Sequence, residues 1–313
     1  MKGKDLLSIS DLSSDDILSL ISDAVDSKDR RRHSLLDGKT LALLFEKPSL
    51  RTRVSFEVAM RDLGGDALYL SPAEVGLGER ESVPDVALVL SRYVDAITAR
   101  TFSHQTLEDL AANSSVPVIN ALSDVEHPCQ ALADLLTIHE KKGELSGLTI
   151  AYIGDGNNVA NSLLLASSLT GVNFKIASPS GYTIQETMLQ QAREYASGNG
   201  ADIFCTEDPQ LAVENADVVY TDVWTSMGQE AESQQRRQVF KNYQVSNELL
   251  SSARENAIFM HPLPAHRGEE VTDSILDSSQ SVVFDQAENR MHIQKAILAY
   301  MLGGLEIPLA GYH

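Results

Sequence analysis

Short apolar runs alternate along this chain with segments whose apolar positions recur every three to four residues. In the first half, residues 41–45, 67–70, 94–98 and 116–119 are short, mainly apolar runs that read as strands. Between them, Phe56, Ala59, Met60 and Leu63 fall at i, i+3, i+4 and i+7, one face of a helix that Gly64 and Gly65 would end. Val86, Val89, Leu90 and Tyr93 repeat that spacing. In the second half, residues 148–153, 174–177, 202–205, 218–221, 257–260 and 282–284 are strand candidates, again separated by helical stretches. Strands alternating with helices form mainly parallel sheets covered by helices on both faces. The pattern predicts an α/β protein of two doubly wound domains, residues 1–140 and 141–285, with the boundary near Lys141, Lys142 and Gly143. A helix starting at 11–14 and another near 291–302 bracket the chain, and residues 286–313 are expected to return to the first domain.

Composition narrows this picture. At 313 residues, 43% hydrophobic and 22% charged, the chain is ordinary globular protein, and its length favours two cores over one. Lys and Arg number 25 against 44 Asp and Glu, a net charge of −19 that argues against nucleic acid and anionic membranes as partners. It leaves room for a small anionic substrate, because a few local arginines override a global field at contact distance. The first ten residues lack a signal-peptide layout, and no apolar run is long enough to span a bilayer. Two cysteines far apart, Cys129 and Cys205, suggest buried thiols in a reducing compartment, hence a cytoplasmic protein.

In a doubly wound fold, ligands bind at the carboxyl ends of strands, and the unusual residues of this sequence sit there. After 41–45 come Ser49, Leu50, Arg51, Thr52 and Arg53, opening a helix. A hydroxyl, two arginines and free backbone N–H groups at a helix start suit an anion, although a capped helix with solvent-facing arginines reads the same way. Arg100 closes a strand; alone it could be a surface charge. His127 precedes Pro128 at a helix start, where the dipole disfavours the imidazolium and leaves a neutral N–H donor. Gly154-Asp155-Gly156 follows a strand, but the dinucleotide fingerprint lacks its third glycine and its distal acid, so NAD is rejected. The turn can still present Asn158. Asp222 ends a strand and could meet a substrate ammonium or cap its own loop. The prolines of His261-Pro262-Leu263-Pro264 fix a turn that can hold carbonyls outward.

Taken together and in order, Phe45 to Phe56, His127-Pro128-Cys129-Gln130, Asp222 to Gly228, His261 to Ala265 and Asp285 to His292 resemble the aspartate/ornithine carbamoyltransferase family, on its ornithine side. The resemblance implies a carbamoyl phosphate-binding first domain, an ornithine-binding second domain, no metal or organic cofactor, and a homotrimer with active sites at subunit interfaces, further assembly of trimers being left open. It assigns Ser49, Leu50, Arg51, Thr52, Arg100, His127, Gln130, Pro262, Leu263 and Arg290 to carbamoyl phosphate. It assigns Asn158, Asp222, Ser226 and Met227 to ornithine. Arg51, Arg100, His127, Asp222 and Pro262 form its catalytic set. The implied chemistry is attack of a neutral δ-amine on the carbamoyl carbon, with electrostatic stabilisation of the oxyanion and of the departing phosphate.

Three departures stand out. Leu50 replaces a threonine of the family's phosphate loop, Gly76 stands where the family has a glutamine reaching a neighbouring subunit, and Pro262 replaces a cysteine. The proline matches the aspartate enzymes, but Ala265 follows where they have arginine, so slower or differently pH-tuned ornithine chemistry is expected. Another acceptor amine (N-acylornithine, putrescine or aspartate) and a non-catalytic carbamoyl phosphate-binding paralogue remain the alternatives.

Overall fold

The computed structural model describes residues 2–28, 34–78, 80–225 and 230–303. Two compact units divide the chain, Met1–Leu136 with Glu288–His313, and Thr137–Ala287. In the first unit, β1 (Thr40–Phe45), β2 (Asp66–Leu70), β3 (Ala96–Arg100) and β4 (Val118–Leu122) form a parallel sheet in the order β2-β1-β3-β4. In the second, β5 (Thr149–Ile153), β6 (Asn173–Ala177), β7 (Ile203–Thr206), β8 (Val218–Thr221) and β9 (Ile258–Met260) form a parallel sheet in the order β7-β6-β5-β8-β9. The doubly wound expectation holds. Each sheet reverses its direction of growth once, between β1 and β3 and between β5 and β8. At such a switch the connecting helices lie on opposite faces, which opens a crevice at the carboxyl edge.

Local chemistry explains the elements. β1 is buried almost throughout, as a central parallel strand must be, while β2 at the edge is largely half-exposed. Ser49 caps the helix Leu50–Leu63 by accepting from Thr52 N–H, and Gly64, at φ 89°, ends it in the left-handed region. Phe56, Ala59, Met60 and Leu63 are buried, as their spacing requires.

Several elements differ from the pattern. The helix Val83–Leu90 buries Val86 and Ala87, whereas Val89 and Tyr93 face solvent. Ser91 ends it by turning its hydroxyl onto the Ala87 carbonyl at 2.6 Å, so Tyr93 lies beyond the helix. β3 and β4 begin two residues later than the apolar runs suggest; Pro117 has no N–H to donate and serves only as an acceptor, for Ile97 N–H. The 282–284 run is not a strand. Val282 makes one bridge-like bond to the Phe259 carbonyl at 3.0 Å, and the chain then enters the helix Val283–Leu302, which starts well before 291. Cys129 is buried, but Cys205 on edge strand β7 is exposed, so only one thiol is a core residue. Among the described residues no helix is long and apolar enough to cross a membrane.

Candidate active site

The first unit gathers its polar residues at the carboxyl edge of β1 and β3. The Ser49 hydroxyl donates to Thr52 Oγ1 at 3.0 Å, and Arg290 Nη2 donates to the same oxygen at 2.7 Å. Thr52 and Arg290 are both buried. Arg100 ends β3 next to a register shift, where Ala99 pairs with Asn120 but Arg100 pairs with Leu122. Such a bulge re-aims the side chain that follows it. Arg100 is only 7% exposed, and its Nε has no hydrogen-bond partner among the described residues. Burial, then repulsion from Arg290 and Arg51, lowers its pKa to about 9. Burial also lowers the pKa of Arg51. His127, at the start of the helix Pro128–Lys142, is pushed well below 6.5 by burial and by the charges of Arg290 and Arg100, so it is neutral at physiological pH. Gln130 donates to Asp134 at 2.8 Å and keeps its buried Oε1 without a partner among the described residues.

Three guanidiniums beside a helix N-terminus repel one another unless an anion neutralises them, and the neutral imidazole adds a donor without adding to that repulsion. Arg53 does not join them: its Nε pairs with Glu57 at 2.8 Å and its guanidinium lies 4.0 Å from the Tyr69 ring centroid. Of the two arginines at this helix start, Arg53 is thus turned away from the cluster that Arg51 joins. Leu50 points outward, 77% exposed, so replacing a threonine here alters no buried contact. Cys129 is no nucleophile, since burial pushes its thiol up to about 12. Gly76 adopts φ 58°, and a Cβ there would sit 2.9 Å from the Cβ of Arg80. It is a turn residue, and a glutamine would be strained at this backbone.

The second unit uses its own switch point. Asp222 follows β8 and is 9% exposed; Oδ1 accepts from Val223 N–H at 2.8 Å and Oδ2 from Asn157 Nδ2 at 2.9 Å. Burial raises its pKa, partly opposed by the nearby His261. Asn157 caps the helix Asn158–Thr170 through Oδ1, which accepts from Val159 and Ala160 N–H. Asn158 is the half-buried first residue of that helix. Asn157, which orients Asp222, escaped the sequence reading, and its only signal was an asparagine before a helix. Ser226 and Met227 lie outside the described residues.

The turn after β9 is built around His261. Its Nδ1 accepts from Leu263 N–H at 2.9 Å, leaving the ring hydrogen on Nε2, 3.1 Å from Glu270 Oε1. The His261 backbone N–H donates to Gln286 Oε1 at 2.9 Å. His261 Nδ1, by accepting from Leu263 N–H, holds Leu263 at φ 56°, a conformation that costs a non-glycine residue about 1–3 kcal/mol, and so fixes the backbone of Pro262 and Leu263. Glu270 is the remote partner that the sequence did not single out. His266, Glu269 and Glu270 have potential metal-ligating atoms within 4.8 Å of one another. Glu269 is paired with Arg237, and Glu270 accepts from His266 N–H and faces His261, so both carboxylates already have structural partners.

Residues 4–140 match the carbamoyl-P binding domain of the aspartate/ornithine carbamoyltransferases, and residues 146–301 match their Asp/Orn binding domain. The chain belongs to that family. It is similar to the ornithine carbamoyltransferase of Pyrococcus abyssi, 52% identical over 98% of both chains. It is also similar to that of Bacillus subtilis, 53% identical over 96% of this chain and 94% of the other. The solved Pyrococcus furiosus ornithine carbamoyltransferase superposes with a TM-score of 0.94 at 51% identity, covering 97% of this chain and 99% of that one.

Proposed function

We propose that this member of the family transfers the carbamoyl group of carbamoyl phosphate to the δ-amine of L-ornithine, giving L-citrulline and phosphate. Carbamoyl phosphate is assigned to the first unit, with its phosphate on the N-terminus of the helix Leu50–Leu63 and on Arg51, Arg100 and Arg290. Neutral His127 supplies an N–H to the carbamoyl oxygen without adding a fourth cation. Pro262 and Leu263 offer carbonyls to the carbamoyl amide. In the second unit Asp222, oriented by Asn157, takes the α-ammonium of ornithine, and Asn158, Ser226 and Met227 complete that half-site.

The neutral δ-amine forms a bond to the carbamoyl carbon while the carbon–oxygen bond to phosphate breaks, and the amine proton leaves with the phosphate. The negative charge that develops on the carbonyl oxygen and the phosphate falls on donors already in place, each worth about 10²–10³ in rate. The observation that carries this reading is the cluster of Arg51, Arg100, Arg290 and neutral His127 at one sheet's switch point. A cytoplasmic location fits the two free thiols. A homotrimer fits the apolar residues Leu50, Val54 and Leu68 exposed on and beside edge strand β2, a kind of surface usually covered by a partner.

The test is citrulline formation by the purified protein, with aspartate, putrescine and N-acetylornithine run in parallel and Asp222→Ala as control. Turnover with ornithine alone, lost in the variant, is the expected result. Product from another amine overturns the choice of substrate, and saturable carbamoyl phosphate binding without any product overturns catalysis.

A further inference from the structure

Arg236 lies in a short helix, Ser233–Val239, that the functional reading does not use, yet it is only 5% exposed. Its Nη1 donates to Asp155 Oδ2 at 2.6 Å and to the Trp224 carbonyl at 3.0 Å. Its Nε donates to Glu232 at 3.1 Å. The guanidinium lies 4.9 Å from the Tyr182 ring centroid, and Tyr182 and Trp224 both pack on Phe240. This cation therefore joins the turn after β5 to the segment after β8, the two strand ends that flank the switch point. From Asp155 the linkage continues inward. Asn157 N–H donates to the Asp155 carbonyl at 2.7 Å, and the Asn157 side chain donates to Asp222.

We propose that Arg236 is a positioning residue for the ornithine half-site: its pairing with Asp155 and Trp224 sets the turn that holds Asn157, and through it the carboxylate of Asp222. The guanidinium donates from Nη1 to Asp155 and Trp224 and from Nε to Glu232, a two-nitrogen fork that the single ammonium of a lysine cannot reproduce in full. The inference rests on the assignment of Asp222 to ornithine.

Arg236→Gln, Arg236→Lys, Asp155→Asn and the double variant Asp155→Asn with Arg236→Gln test it. The chain has one tryptophan, so emission from Trp224 reads this corner directly, without turnover. L-Norvaline, which carries the α-ammonium and carboxylate of ornithine but no reactive amine, serves as the probe. The expected result in Arg236→Gln is a rise of about 10-fold or more in the ornithine KM and in the norvaline Kd. Phosphate binding, which belongs to the first unit, stays within about twofold of the parent, because none of these contacts reaches that unit. Arg236→Lys recovers part of the loss, and the double variant is no worse than Arg236→Gln, since both break one link.

Unchanged norvaline and ornithine affinity in a folded Arg236→Gln overturns the proposal. So does a parallel loss of phosphate affinity in Arg236→Lys, which would mark a general structural role. Absence of ornithine turnover in the parent protein would refute the proposed function instead. Norvaline affinity, read by Trp224, would still decide the role of Arg236.

Discussion

Arg100 should be held against the fold's own interest, and that can be measured. Its pKa falls from the ordinary guanidinium range to about 9, chiefly through burial and then through Arg290 and Arg51. At ~1.4 kcal/mol per unit, such a shift corresponds to an upper bound of about 5 kcal/mol carried by the ligand-free protein. Above pH 9, and until a free guanidinium itself titrates, the unfolded chain keeps a proton that the folded chain has lost, so stability rises with pH in that window. Below pH 9 the full cost is present. Arg100→Met keeps an unbranched apolar stem and removes the charge. The variant should gain about 1–3 kcal/mol in the absence of ligand, a rise of several degrees in the unfolding midpoint. Phosphate at a hundred times its Kd should stabilise the parent by about 2.7 kcal/mol. The variant, lacking a charge-assisted contact, should lose most of that increment and bind about 10–100-fold more weakly by calorimetry. Scanning calorimetry at pH 7 with and without phosphate reads both effects. A variant less stable than its parent, yet still stabilised by phosphate, would refute the reasoning, because Arg100 would then be a structural donor.

Asp222 has a raised pKa, so its folded form holds a proton more tightly than the unfolded form, and stability falls as pH climbs from 3.8 through that raised value. Asp222→Asn should therefore raise the neutral-pH unfolding midpoint while abolishing ornithine turnover, and in the parent protein kcat/KM for ornithine should fall as acid protonates this carboxyl. Gly156→Ala should cost about 4 kcal/mol or more in urea unfolding, because a Cβ there would sit 2.3 Å from the Ile184 nitrogen, a backbone atom that cannot turn aside; a loss under ~1 kcal/mol would count against that packing. Iodoacetamide at neutral pH should label Cys205 and spare Cys129 until the protein is denatured, as peptide mass spectrometry would show.

Much of the architecture could be read from local pattern. The apolar run at β1 and the spacing of Phe56, Ala59, Met60 and Leu63 determine a buried strand and a one-faced helix, because burial itself has those periods. His127 before Pro128 suggested a neutral imidazole, since the helix dipole acts locally, and burial pushes its pKa in the same direction. The errors came where the same apolar pattern suits two outcomes. Residues 282–284 satisfy a strand pattern, but a single bridge to Phe259 could not extend into a ladder before the helix Val283–Leu302 began.

The sequence by itself therefore determined most of the elements that form and which loops carry the polar groups, because those depend on neighbours within a few residues. Only the tertiary structure decided which polar groups face one another. Arg290 meets Thr52 across 238 positions, Arg236 meets Asp155 across 81, and Asn157 meets Asp222 across 65. Arg53 pairs locally with Glu57 four residues on, and tertiary packing sets its guanidinium over the Tyr69 ring of β2, although it opens the same helix as Arg51. The partner of a buried charge is set by where the two sheets switch direction, and chain distance carries no trace of that geometry.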